Sequence, residues 1–124
     1  MRNKSRTLTE QELEIMKVVW EHQNATVRDV YEALLRRRKI SYTTVMTMMN
    51  ILEEKGYLKK RAGDKAYVYR PAQAKARVIR AMVQEFVARV FNGSAEPLMV
   101  QLVRDRSLSP EELEKIARVI KESV

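Results

Sequence analysis

Hydroxyl and amide side chains at Thr43, Thr44, Thr47 and Asn50 stand close together in the stretch Ser41–Gly56. They are small, polar and uncharged. A threonine offers a hydroxyl to a phosphate or a base edge and a methyl to the thymine methyl. The stretch holds no Lys or Arg between Ile40 and Lys55. Cations stand on both sides of it instead: Arg36, Arg37, Arg38 and Lys39 before, and Lys59, Lys60 and Arg61 after. A neutral polar face between cationic flanks suits a major-groove reader, because cations hold phosphates while the face touches bases. The competing reading is an ordinary solvated helix face. For Arg36–Lys39 two readings stand side by side: phosphate contact, or a charge run suited to the carbonyl end of a helix.

Other chemistries lack their parts. His22 is the one histidine and falls at a predicted helix end, where a surface or capping role suits it. No Ser/His/acid set, metal-ligand cluster or glycine-rich phosphate loop is present, and three glycines cannot build the last. With no cysteine there is no disulfide, thiolate metal site or thiol nucleophile. Met46, Met48 and Met49 point around a helix rather than to one spot, which favours core filling and groove contact over a soft-metal site. Neither enzyme activity, a cofactor nor a metal is expected.

The net charge is +8, with a pI near 9.9. Residues 1–72 hold 15 Lys and Arg against 9 Asp and Glu, and residues 73–124 hold 9 against 7. The excess lies in the N-terminal part, so an anionic partner is expected there. No apolar run approaches the ~20 residues of a membrane span. The N-terminus has no signal-peptide pattern, so a cytoplasmic location is expected.

The elements that must position these residues follow from periodicity and caps. Thr9-Glu-Gln-Glu12 is a capping box, and Leu13, Met16 and Trp20 share a face of the helix behind it, which runs to about His22. Thr26 opens a second helix, with Val27, Val30, Tyr31 and Leu34 inward. The third begins at the cap Ser41, turns Val45, Met48, Met49 and Leu52 inward, and stops at Gly56. Tyr57–Arg61 and Ala66–Arg70 flank a Gly-Asp turn and read as a β-hairpin, closed by Pro71. Tyr67 and Tyr69 share a face of it, where packing is favoured over stacking on nucleic acid. Three short helices and a hairpin make a winged helix-turn-helix, placed at residues 7–72.

Residues 73–124 form a second unit. Ile79, Met82, Val83, Phe86, Val90 and Phe91 repeat at helical spacing up to a stop at Asn92-Gly93. Pro97 opens a short helix carrying Leu98, Met99, Leu102 and Val103. Ser109-Pro-Glu-Glu112 is a second capping box before Leu113, Ile116, Ala117 and Ile120. Three amphipathic helices in about 50 residues are hard to stabilise alone. Their apolar faces need cover, from the N-terminal domain or, preferably, from a second copy. A twofold protein matches a palindromic DNA site. Ile79, Met82, Val83, Phe86, Val90, Leu98, Leu102, Leu113, Ile116 and Ile120 are the expected dimerisation residues.

The ordered pieces resemble the penicillinase-repressor family of the BlaI/MecI type. They are Leu8-Thr9 before Glu12, Leu13, Met16 and Trp20; Thr26–Val30; Ser41-Tyr-Thr-Thr-Val45; Leu52 with Lys55-Gly56; Ala66-Tyr67 with Tyr69; Phe91–Ser94; and Leu108–Leu113. The resemblance covers roughly residues 7–120. It implies a mainly α winged-helix fold with a helical dimerisation module, acting as a repressor on operator DNA and released when a membrane-bound sensor triggers its cleavage. It puts base and phosphate contacts at Thr43, Thr44, Met46 and Thr47, with Ser41 and Tyr42 near the backbone. Met46 can give only apolar contact. Backbone affinity is therefore expected to rest on Lys59, Lys60, Arg61 and Lys65. The pair cleaved in relatives, Asn-Phe, falls in register at Gln101-Leu102. Both residues differ here, which leaves a cleavage site and, preferably, ordinary dimer-helix residues as readings. A regulator released by a ligand or partner, and a winged-helix module that binds protein rather than DNA, are the alternatives.

Overall fold

A computed structural model describes residues 7–123. The order is α1 (Glu10–His22), α2 (Val27–Leu35), α3 (Tyr42–Glu54), β1 (Leu58–Ala62), β2 (Tyr67–Pro71), α4 (Lys75–Val90), α5 (Glu96–Arg104) and α6 (Pro110–Ser123). This is the mainly α arrangement with one hairpin that the sequence predicts.

The caps work as their residues dictate. Thr9 Oγ1 accepts from the Glu12 N–H at 3.1 Å, and the Thr9 N–H donates to Glu12 Oε1 at 2.9 Å. Thr26 and Asp29 repeat the exchange at α2, and Ser109 and Glu112 at α6. At the end of α3 the Gly56 N–H donates to Glu53 O and the Tyr57 N–H to Leu52 O. That pair of bonds needs a left-handed residue, which Gly56 supplies at φ 87°.

The N-terminal core forms between α1, α2, α3 and the hairpin. Ile15, Met16 and Val19 of α1, Val30 and Leu34 of α2, and Val45, Met49 and Leu52 of α3 are fully buried, with Leu58 and Tyr69 from the strands. Met48 is half-buried against them. β1 and β2 pair antiparallel with Lys60 opposite Tyr69. Ala25 adds a bridge on the other edge of β2, exchanging two backbone hydrogen bonds with Tyr69 at 2.9 and 2.8 Å. Gly63 sits in the hairpin turn, where a Cβ would lie 2.6 Å from Ala66 O.

The compact units divide between Met82 and Val83, ten residues beyond the boundary expected at residue 72. The reason is Val78: it is 3% exposed in the N-terminal core, and Met82 packs against that core one turn later. The start of α4 therefore belongs to the first unit. Ile79 and Met82 fall there rather than with the other expected dimerisation residues.

The most deeply buried ion pair among the described residues lies in the first unit. Lys55 Nζ, at the end of α3, donates to Glu12 Oε1 at 2.9 Å and Oε2 at 3.0 Å. Both side chains are nearly covered, at 10% and 7% exposure. Burial pushes the Glu12 carboxyl up. The Lys55 hydrogen bond, the Thr9 N–H and the Lys55 charge outweigh it and hold the group below its ordinary 4.5. A depressed carboxyl stabilises the fold above the unfolded value and loses that contribution as pH falls through the folded value.

Removing one partner of this pair strands the other charge, so Glu12→Ala lowers unfolding free energy by about 3–5 kcal/mol in urea titrations, while Glu12→Met with Lys55→Met recovers most of the loss. In the wild type the urea midpoint falls as pH drops below about 4.5, and Glu12→Gln flattens that dependence. An equal slope in both proteins would show that other carboxylates set the acid limb.

Candidate nucleic-acid interface

Helix α3 buries Val45, Met49 and Leu52, so its opposite side is turned outward. Thr43 and Thr47, one turn apart, lie near the middle of that outward side and are exposed. Thr44 lies to one flank. Its Oγ1 accepts from the Ser41 hydroxyl at 2.8 Å, and Ser41 Oγ in turn accepts the Thr44 N–H at 3.1 Å. Ser41 and Thr44 are thus committed to the helix cap, leaving Thr43 and Thr47 the freer hydroxyls.

Tyr42, Met46 and Asn50 form the other flank, spaced four apart. Tyr42 is 40% exposed. It meets the edge of Tyr31 at 5.5 Å, and the Arg28 guanidinium lies 5.6 Å from its ring centre. Asn50 Oδ1 accepts from the Tyr69 hydroxyl at 3.0 Å. Burial pushes that phenol above its ordinary 10.0, with Lys60 opposing and Glu53 adding to the rise, so it stays a neutral donor. Between this flank, the start of α2 and the hairpin runs a cleft of about 580 Å³. Met46, Tyr42 and Tyr67 line it with Arg28, Lys60 and Lys65.

The cations divide into free and engaged. Lys59, Arg61 and Lys65 are exposed. Lys60 is half-buried; its Nζ lies 3.6 Å from Glu53 Oε1 and 4.4 Å above the Tyr67 ring. Of the four residues expected to carry backbone affinity, Lys60 is thus the one engaged by a carboxylate. In the run before α3, Arg38 donates from Nε and Nη2 to Glu14 Oε1 at 3.2 and 2.9 Å, while Arg36, Arg37 and Lys39 are exposed.

Packing is the expectation for both hairpin tyrosines. It holds for Tyr69, which is 2% exposed, and fails for Tyr67, which is 54% exposed, because the core ends beneath Tyr69. Sequence reasoning also passed over Arg28. Its spacing of three from Tyr31 puts the two on one side of α2, but only the approach of Tyr42 shows the side matters. Gln101 and Leu102 lie within α5; Gln101 donates to Asp105 at 3.1 Å and Leu102 is half-buried.

The model of the family described as penicillinase repressor matches residues 8–122. The chain belongs to this family. The penicillinase repressor of Bacillus licheniformis is 27% identical over 115 residues, 93% of this chain and 90% of that protein. The solution structure of the DNA-binding domain of the repressor BlaI superposes with TM-score 0.53 at 29% identity, covering 60% of this chain and 92% of that one. The Bacillus licheniformis BlaI monomeric form in complex with the blaP half-operator gives TM-score 0.50 at 30% identity, over 56% and 85%. These likenesses fall on a chain whose outward α3 face is neutral and polar, and whose free cations sit on the flanks.

Tyr69→Phe removes the buried hydroxyl that donates to the exposed Asn50 amide and lowers stability by about 1 kcal/mol in thermal or urea unfolding, with the winged-helix circular dichroism spectrum retained. An unchanged midpoint would mean that Asn50 turns to solvent at no cost.

Proposed function

We propose that the protein is a sequence-specific, DNA-binding transcriptional repressor that occupies a palindromic operator as a homodimer. The observation that carries it is the surface of α3: an uncharged hydroxyl and thioether face between exposed cations, on a member of the penicillinase repressor family. Thr43, Thr47 and Met46 face base edges, and Lys59, Arg61 and Lys65 hold phosphates with Ser41 and Tyr42 beside the backbone. A repressor acts in the cytoplasm, where the DNA is; no helix among the described residues is long and apolar enough to cross a membrane. The reading assigns the chain no catalytic step, cofactor or metal.

The dimer reading rests on the second unit. No residue of 83–123 is buried, although Val83, Phe86, Val90, Val103, Val119 and Ile120 are large and apolar and at least 41% exposed. Covering such faces with a second copy is the economical solution. Val83, Phe86, Val90, Leu98, Leu102, Leu113, Ile116 and Ile120 are the residues assigned to it. Release by proteolysis at Gln101-Leu102, triggered by a membrane sensor, is the less supported switch: the bond lies inside α5, which must unwind before a protease can bind it as an extended strand.

Gel-shift titrations on palindromic duplexes at two salt concentrations test the reading. Binding is expected to depend on sequence and to weaken steeply with salt. Thr47→Ala should lower affinity about five-fold. Lys59→Ala should reduce the salt slope by about one unit, and Lys60→Ala by less, since Glu53 already engages it. Equal affinity for all duplexes would favour a protein-binding winged helix instead. For the dimer, Val90→Glu with Ile120→Glu should give monomers in sedimentation and lose about 10²-fold or more in affinity for a full operator. A double variant that sediments as wild type would refute this interface.

A further inference from the structure

The seven methionines of the chain do not share one role. On α3, Met49 is fully buried and Met48 half-buried, but Met46 is 40% exposed. It takes no part in the core. It stands on the flank of the outward face that borders the cleft toward the hairpin. Tyr42 precedes it by one turn, and Tyr67 of β2 lines the same cleft. Exposed apolar side chains converge there, inside a rim of Arg28, Lys60 and Lys65. Arg28 and Lys65 there would favour flanking phosphates, Lys60 being engaged by Glu53, and the apolar lining would favour a group with no charge.

The rest of α3 narrows what that group can be. The commonest specific contact to DNA is a bidentate Arg or Lys on guanine. Helix α3 carries neither cation. Of the major-groove features, only the thymine 5-methyl is apolar. We propose that Met46 is a specificity-determining residue that reads the 5-methyl group of one thymine in each half-site. This deepens the operator-binding reading and rests on it. The thioether is flexible and polarizable, so it can follow the methyl without strain. Covering a methyl is worth about a four-fold change in affinity.

The test uses the full chain. Duplexes that it selects from a randomised pool supply the probe. Each thymine is then replaced in turn by deoxyuridine, which removes only the methyl. For the wild type, one thymine per half-site should show a loss of about four-fold. Met46→Ala should bind the thymine duplex more weakly by a similar factor, bind the uracil duplex as the wild type does, and show no penalty at that thymine. Met46 is exposed, so the variant should melt as the wild type. The proposal is overturned if no thymine responds, or if Met46→Ala keeps the same uracil penalty, which would assign the methyl to Thr43 or Thr47. A pool from which no duplex is enriched fails differently: it removes the repressor reading itself.

Discussion

The first unit depends on a buried carboxylate that serves two helices. Glu12 closes the cap of α1 through the Thr9 N–H and grips Lys55 at the end of α3 through both oxygens. A buried charge is tolerable only when its lone pairs are matched, and here they are. Hydrogen bonds continue outward from that point. Ala72 N–H donates to Tyr57 O, Gln73 Nε2 to Gly56 O, and Trp20 Nε1 to Gln73 O. The end of α3, the exit of the hairpin and the body of α1 are thereby held together. The direction of α3 follows from that frame.

Because the frame is built from Glu12, Lys55 and Gly56, the outward side of α3 is spared most structural duties. Ser41, Thr44 and Asn50 are drawn into local hydrogen bonds, and Tyr42 and Glu53 into contacts with Arg28 and Lys60. The hairpin shows the same economy. Tyr69 and its backbone exchange with Ala25 anchor β2, while Lys59, Arg61 and Lys65 project from it unburied. Lys60 lies between these roles: it faces Glu53 and covers Tyr67. A positively charged rim around a neutral face is thus produced by a division between residues that fix the fold and residues that the fold leaves free.

The second unit poses the opposite physical situation. Two of its helix ends are capped well, by Ser109 with Glu112 at α6 and by the left-handed pair Asn92 and Gly93 after α4, at φ 53° and 89°, while α5 starts at Ala95 without a side-chain cap. Phe86 and Phe91 meet edge to face at 5.8 Å. Yet none of its described residues is buried. Local structure is satisfied while the apolar faces are not, and hydrophobic burial is what stabilises helices of this length.

Much of this was legible in the linear chain. Capping boxes at Thr9 and Ser109, the helix start at Thr26, the stop at Gly56 and the core face of α3 depend on residues three to seven apart, so local geometry determines them. The neutral stretch between cationic flanks is likewise a matter of order along the chain. Long-range pairing is not. Glu12 looked like a cap alone, and its Lys55 partner is 43 residues away. Tyr67 and Tyr69 share a strand face and looked alike, yet the extent of the core beneath them buries one and exposes the other. The unit boundary moved to Met82 because Val78 found a place in the N-terminal core. In each case periodicity names the face of an element, and only the neighbour brought by the fold decides what that face meets.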